Sequence, residues 1–369
     1  MTPKKILFFT PNGGRGGSEM MLWYLIKDLD KQNIDWKVIT FAKGDLLNEK
    51  NYPGKVHLLP SRKSRRNEIS SKINRNLLKR DIDDNFILKI HKKFDPDLWY
   101  FNTIVTINKS HLAIKNNIKY AFHLHESLTV FDLVKSDVLK DTVANSYLNI
   151  GCSKKLSDNL NIVGSKNTKT FYSGVNFNEI QIHQDRNSIR NRLNIKDSDF
   201  VWYMSGGQSV NKGIDYFIKI SEEFKGNPNV KFVWVGRKRD RGYNLWAEKY
   251  IQSKKLANVS MLNQLTKEYF DYVNAFDGFL LTSREDSFPL VMVEAAYLGK
   301  PIIGFDSGGI SEFLIDNMGD IQEDFSIKGI VKKMENLIND KTSFNSKTSV
   351  KRAKEFDLNS TSKNWIDLL

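Results

Sequence analysis

The residue types best suited to chemistry lie between Arg284 and Phe313. Two acids, Asp286 and Glu294, stand eight residues apart. Between and beyond them, Ser287 and Pro289 mark a helix start and Gly299 its stop. An apolar strand, Pro301–Phe305, and a Ser307-Gly308-Gly309 loop follow, and the loop opens a second helix. Both helix starts present unpaired backbone N–H groups and partial positive charge, which suit a diphosphate. Glu294 falls about two helical turns from Asp286 and roughly on the same side. There it can accept hydrogen bonds from sugar or ribose hydroxyls.

Three further groups of residues offer complementary chemistry. Lys212-Gly213 closes the loop Ser205-Gly-Gly-Gln-Ser-Val-Asn-Lys-Gly between a strand and a helix, where a lysine reaches a diphosphate as a mobile cation. Gly13, Gly14, Gly16 and Gly17 fill the first strand-to-helix loop and allow a close backbone approach to a ligand. That loop is neither G-x-G-x-x-G in order nor a Walker loop. His123-Leu-His125-Glu126 follows an apolar strand; two His at i and i+2 without a Cys/His cluster do not complete a metal site. Asp95-Pro-Asp97 has the spacing of a metal-binding DxD, but Pro96 in a turn is sufficient reason for it.

The elements that must position these residues alternate strand and helix, the pattern of parallel sheets covered by helices. Strands are expected at Lys5–Thr10, Trp36–Phe41, Lys55–Leu59, Leu98–Phe101, Tyr120–His123, Asn149–Cys152 and Thr170–Asn176, with a helix over Met20–Leu29. A second series has strands at Phe200–Ser205, Lys231–Gly236, Val259–Leu262 and Gly278–Thr282, and helices at Asp215–Phe224 and Leu265–Ala275. Two doubly wound domains are therefore expected. Their ligands belong beyond the carboxyl ends of the strands.

Taken together, Asp286, Phe288, Pro289, Glu294-Ala295, Gly299 and Gly308-Gly309-x-x-Glu312 resemble the acidic E-x7-E motif of the retaining family 4 glycosyltransferases. Two departures stand out. The first acid is Asp rather than Glu, and Ser287 replaces the usual Gly. Glu285 is an alternative first acid, but Phe288 sets the register on Asp286. Gly16-Gly17-Ser18-Glu19 is similar to the family's Gly-Gly-x-Glu loop, and Lys212-Gly213 to its phosphate-holding Lys-Gly. The usual Arg about five residues earlier is absent, with Gly207 and Gln208 there instead; Arg237 is the candidate second charge.

The resemblance implies an α/β fold of the GT-B type: two doubly wound Rossmann-like domains facing a central cleft. Residues 1–172, completed by a C-terminal helix at 352–369, would bind the acceptor, and residues 173–351 the nucleotide-sugar donor. It also implies the roles. His125, with His123 as the alternative, lines the site near the transferred sugar and acceptor. Asp286 holds sugar hydroxyls, Glu294 holds ribose, and Lys212 holds the leaving diphosphate. Gly16, Gly17, Ser287, Phe288, Pro289 and Leu290 complete the donor site, and Asn263 to Leu265 border the base. The implied reaction retains anomeric configuration and needs no metal or other cofactor.

Composition sets the remaining bounds. At 369 residues, with 40% hydrophobic and 12% aromatic residues, the chain can bury two cores. One cysteine, Cys152, excludes a disulfide framework and fits a reducing cytoplasm. No apolar run reaches the length of a membrane span. The formal charge is +13, concentrated in Arg62–Lys93. That segment suits an anionic membrane surface, so the expected location is cytoplasmic or peripheral at the inner face of the cell membrane. No RNA motif or zinc pattern accompanies the charge, so nucleic acid is not expected. The expected acceptor is a glycan or lipid-linked oligosaccharide of a capsule, O-antigen or similar polymer. A GT-B lookalike (a sugar epimerase or phosphorylase) and a non-enzymatic polyanion binder stay open.

Overall fold

A computed structural model describes residues 4–63, 81–126, 128–238, 240–340 and 344–369, with the side chains of residues 362 and 363 left aside. The chain divides into two compact units. One is Met1–Ser173 with Asn359–Leu369, the other Gly174–Leu358. Residues 352–358, assigned to the first domain on sequence grounds, thus belong to the second unit.

In the first unit the strands are β1 (Lys5–Thr10), β2 (Asp35–Thr40), β3 (Val56–Leu58), β4 (Leu98–Asn102), β5 (Tyr120–Leu124), β6 (Leu148–Gly151) and β7 (Thr168–Thr170). They form one sheet in the order β3-β2-β1-β4-β5-β6-β7, and every pairing is parallel. Parallel strands covered on both faces read as continuous apolar runs. β4 (LWYFN) and β5 (YAFHL) are buried at every position. The C-terminal helix Leu358–Leu368 completes this core: Trp365 is fully buried and donates its indole N–H to the Tyr100 hydroxyl at 2.9 Å.

In the second unit β8 (Phe200–Ser205), β9 (Val230–Val235), β10 (Val259–Leu262), β11 (Gly278–Leu281), β12 (Ile302–Phe305) and β13 (Gly319–Gln322) form a parallel sheet in the order β10-β9-β8-β11-β12-β13. Both orders reverse beside the first strand of the series, between β1 and β4 and between β8 and β11. At such a reversal neighbouring loops leave to opposite faces and open a crevice at the carboxyl ends of the strands.

The structure departs from expectation in identifiable places. The strand expected over Thr170–Asn176 lies instead at Thr168–Thr170; past it the Phe171 amide still donates to Gly151 O at 2.9 Å, and Val175 forms an isolated bridge to Asp357. The helix expected over Leu265–Ala275 starts at Tyr269. Asn263 Oδ1 accepts from the Lys238 and Gln264 amides at 3.2 and 2.8 Å and holds the preceding loop open. Helix Gly242–Lys254 was not anticipated; its signal was the aromatic spacing of Tyr243, Trp246 and Tyr250, whose rings stack along it. Arg65, Arg66, Lys72, Arg75, Lys79 and Arg80 of the basic segment lie outside the described residues.

Candidate active site

In the second unit the switch-point loops after β8 and β11 carry the candidate cation and the first candidate acid. The loop after β8 is shaped by Gly213. It sits at φ +71°, and a Cβ there would fall 1.9 Å from the Thr282 carbonyl oxygen. Only glycine tolerates that approach. Thr282 Oγ1 donates to the Lys212 carbonyl at 3.0 Å and Ser209 Oγ accepts the Lys212 amide at 3.3 Å, so the lysine backbone is held from both sides. Lys212 Nζ forms an ion pair with Asp286 Oδ2 across the two strand ends. Ser283 Oγ donates to the same oxygen at 3.1 Å.

Asp286 is not helical, contrary to the two-turn spacing argument. Its backbone pairs with the glycine loop after β12: the Asp286 amide donates to Ser307 O at 2.9 Å and its carbonyl accepts from the Gly309 amide at 3.0 Å. A Cβ on Gly309 would lie 2.3 Å from Ser287 O, so these two loops touch only because residue 309 is glycine. Helix Leu290–Tyr297 then starts behind Pro289, where the missing N–H leaves no helical bond unmade. Ser287, Phe288 and Pro289 are buried, and Phe288 packs on Phe313 and Phe356. These three shape the turn, whereas Leu290 keeps partial exposure.

Glu294, on helix Leu290–Tyr297, does not join the Lys212–Asp286 pair; its partner is Tyr269, whose hydroxyl lies 3.1 Å from Glu294 Oε2. Burial pushes the Glu294 carboxyl up to about 7, against the pull of the tyrosine hydrogen bond. Arg237 is exposed just past β9, and its carbonyl accepts the Gln208 amide at 3.0 Å. Gln208 is buried and accepts from Asn244 Nδ2 at 3.1 Å, so it serves the packing of helix Gly242–Lys254 rather than offering a cation. Arg284, the cation nearest the acids in sequence, is spent on a two-pronged ion pair with Asp215 at 2.8 and 2.6 Å. Asn263 is exposed and Leu265 half-buried after β10.

In the first unit the switch-point strands β1 and β4 end at the glycine loop and at Asn102. Helix Gly17–Leu29 starts three residues earlier than expected, with Gly16 as its cap, so Gly16 and Gly17 stand at a helix N-terminus. Glu19 is buried and accepts from Asn12 Nδ2 at 2.9 Å. Asn102, fully buried, donates to Ser18 O at 3.2 Å; that bond orients its amide so that Oδ1 faces His125 Nε2 at 2.9 Å. The imidazole is thereby fixed as the Nε2–H tautomer with Nδ1 as acceptor. Burial holds His125 down to about 3, so the ring is neutral at physiological pH.

His123 is fully buried within β5, its Nδ1 2.5 Å from the Tyr100 hydroxyl, and belongs to the core; His125, past the strand end, keeps partial exposure. Glu126 accepts from the Ile104 and His125 amides at 3.0 and 3.1 Å. It braces Thr103, a β-branched residue at φ +76°, a strained value that concentrates at functional turns. Asn102, Thr103, Ser283 and Tyr269 were not found from sequence. A polar residue closing each apolar strand run was the signal for Asn102 and Ser283. Asp97 accepts from the Lys4 and Lys5 amides at 2.8 and 2.9 Å, a structural use of the Asp-Pro-Asp turn. Among the described residues, no three His, Cys, Asp or Glu side chains gather as a metal site would require, and no helix is long and apolar enough to cross a membrane.

Two doubly wound parallel sheets of seven and six strands define the GT-B fold of glycosyltransferases. Anabaena Alr3699/HepE, solved in complex with UDP and glucose, shares it with a TM-score of 0.80 and 19% identity over 99% of this chain and 98% of that one. Residues 185–356, within the second unit, match the family model of the glycosyl transferases group 1. The alpha-galactosylglucosyldiacylglycerol synthase of Streptococcus pneumoniae is 30% identical over 118 residues, 31% of this chain and 31% of that protein. The lipopolysaccharide 1,2-N-acetylglucosaminetransferase of Salmonella typhimurium is 25% identical over 168 residues, 42% of this chain and 44% of that protein. The matched stretches therefore span less than half the length of these curated relatives.

Proposed function

We propose that this protein is a retaining, metal-independent glycosyltransferase. It moves a sugar from a nucleotide-diphosphate donor to a hydroxyl of a glycan or lipid-linked oligosaccharide in bacterial surface polysaccharide synthesis. The observation that carries the reading is the Lys212–Asp286 pair across the β8/β11 switch point, backed by the Gly308-Gly309 loop. It supports the reading because a cation and a carboxylate stand side by side there, and a sugar diphosphate needs one of each. The synthase and transferase named among the relatives, and the UDP bound by HepE, agree with such a donor.

In the reaction the bond from the anomeric carbon to the diphosphate oxygen breaks, and a bond to the acceptor oxygen forms on the same face. The departing diphosphate takes the acceptor's proton. Lys212 offsets the charge that develops on the leaving group, with Arg237 as second cation and the Gly309 end as a dipole. Asp286 accepts from sugar hydroxyls and Glu294 from ribose. Asn263 and Leu265 border the base, while Ser287, Phe288, Pro289 and Leu290 form the turn that holds the acid. In the first unit, Gly16 and Gly17 offer backbone N–H groups. Neutral His125, fixed by Asn102, orients a sugar or acceptor hydroxyl through Nδ1.

The test is a thermal-shift panel of UDP, GDP, ADP and TDP sugars. A donor at a hundred times its Kd stabilises the native state by about 2.7 kcal/mol. A panel with no shift overturns the reading. The basic segment Arg62–Lys93 is assigned to an anionic membrane surface at the cytoplasmic face. Full recovery in the supernatant with anionic liposomes at low salt counts against it.

A further inference from the structure

Of the four residues that sequence did not find, Tyr269 has the least obvious purpose. It opens helix Tyr269–Ala275, directly after an exposed loop, yet its hydroxyl reaches inward to two other elements. It lies 3.1 Å from Glu294 Oε2 on helix Leu290–Tyr297 and 2.9 Å from Ser205 Oγ at the end of β8. A tyrosine that only filled core volume would need one partner for its hydroxyl. This one bridges the last residue of the strand that leads to Lys212 and the second candidate acid.

The geometry points to Tyr269 as a positioning residue: through its hydroxyl, with Ser205 as the second anchor, it fixes the rotamer and the ionised state of Glu294 for the donor. This rests on the reading of Glu294 as the acid that receives donor hydroxyls. A carboxylate aimed at a vicinal diol has to hold both oxygens still. One oxygen tied to Tyr269 leaves the other, and the remaining lone pairs of the first, directed at the ligand. Among the described residues, the titratable groups whose charge is coupled to Glu294 are Tyr203 of β8 and Tyr269 itself. Both are neutral phenols, raised by burial, so no cation assists ionisation. The hydrogen bond from Tyr269 is what favours the charged form.

Tyr269→Phe keeps the ring and removes the bond. Two readouts decide. First, Glu294 is titrated by carboxyl-carbon NMR in the wild type and in Y269F without any donor. Its midpoint should move to higher pH in Y269F, and an unchanged midpoint overturns the proposal. Second, donor KM should rise roughly tenfold, the value of one hydrogen bond to a charged group, with kcat nearly unchanged and the pH dependence of KM displaced to higher pH. Equal losses in kcat and kcat/KM without that displacement would mark Tyr269 as a packing residue and overturn the proposal. Ser205→Ala should move both readouts in the same direction and by less. The NMR titration stands whatever the protein transfers. A shifted midpoint in a protein that ignores every nucleotide sugar would therefore sink the proposed function and leave the Tyr269 tie intact.

Discussion

Removing the ammonium of Lys212 tests the catalytic reading most directly. In Lys212→Ala the loop should keep its path, because backbone bonds to Thr282 and Ser209 and the left-handed Gly213 shape it, not the side chain. Asp286 loses its ion-pair partner but keeps the Ser283 hydroxyl at 3.1 Å. With side-chain exposures of 29% and 12%, the pair lies between a surface bridge, worth about 0–1 kcal/mol, and a buried one, whose breaking costs about 3–5 kcal/mol. The stability loss should be about 1–2 kcal/mol, a shift of a few degrees in Tm for a unit of this size.

The catalytic loss should be larger. A unit charge about 4 Å from a phosphate oxygen contributes about 4 kcal/mol at an effective dielectric of about 20. Loss of one charge-stabilising group in such a site typically lowers the rate by about 10²–10³. The assay is release of nucleoside diphosphate at saturating donor, using the sugar nucleotide that shifts Tm in the wild type. A folded K212A protein turning over at the wild-type rate refutes the role of Lys212, and with it the placement of the diphosphate at the β8/β11 switch point.

Three more expectations follow from the geometry. The Glu294 carboxyl is raised from 4.5 to about 7, so folding favours its protonated form. The stability this contributes is present below pH 4.5 and is lost as pH rises through about 7, while under the proposed role of Glu294 as acceptor of donor hydroxyls the donor affinity should improve over the same range. Glu294→Gln should flatten both trends, as read from melting and donor KM between pH 6 and 8. Gly213→Ala combines a left-handed backbone with a 1.9 Å approach to Thr282 O and should cost about 3 kcal/mol in urea unfolding; a cost under about 1 kcal/mol would show that the loop relaxes freely. Trp365→Ala empties a fully buried site and leaves the Tyr100 hydroxyl without its indole donor; about 3–5 kcal/mol should be lost from the first unit, and an unchanged urea midpoint would contradict the docking of the last helix.

The alternation of apolar strands and helices was legible because parallel strands buried on both faces must be apolar throughout, as in LWYFN and FVWYMS. The spacing of Asp286, Glu294, Gly299 and Gly308-Gly309 was equally legible, because each glycine answers a local backbone demand. What sequence left undecided depends on contacts between distant segments. Spacing along one helix suggested that Asp286 and Glu294 share a face, yet sheet order carries Asp286 to a lysine seventy-four residues earlier and leaves Glu294 to a tyrosine from another helix. The different surroundings of His123 and His125 come from where β5 ends, since one residue of strand separates a core ring from a partly exposed one. Asn102, which aims that ring, lies twenty-three residues away and meets it only because β4 and β5 pair in parallel. Local chemistry is written in neighbouring residues; its partners are chosen by strand order, which no short window of sequence contains.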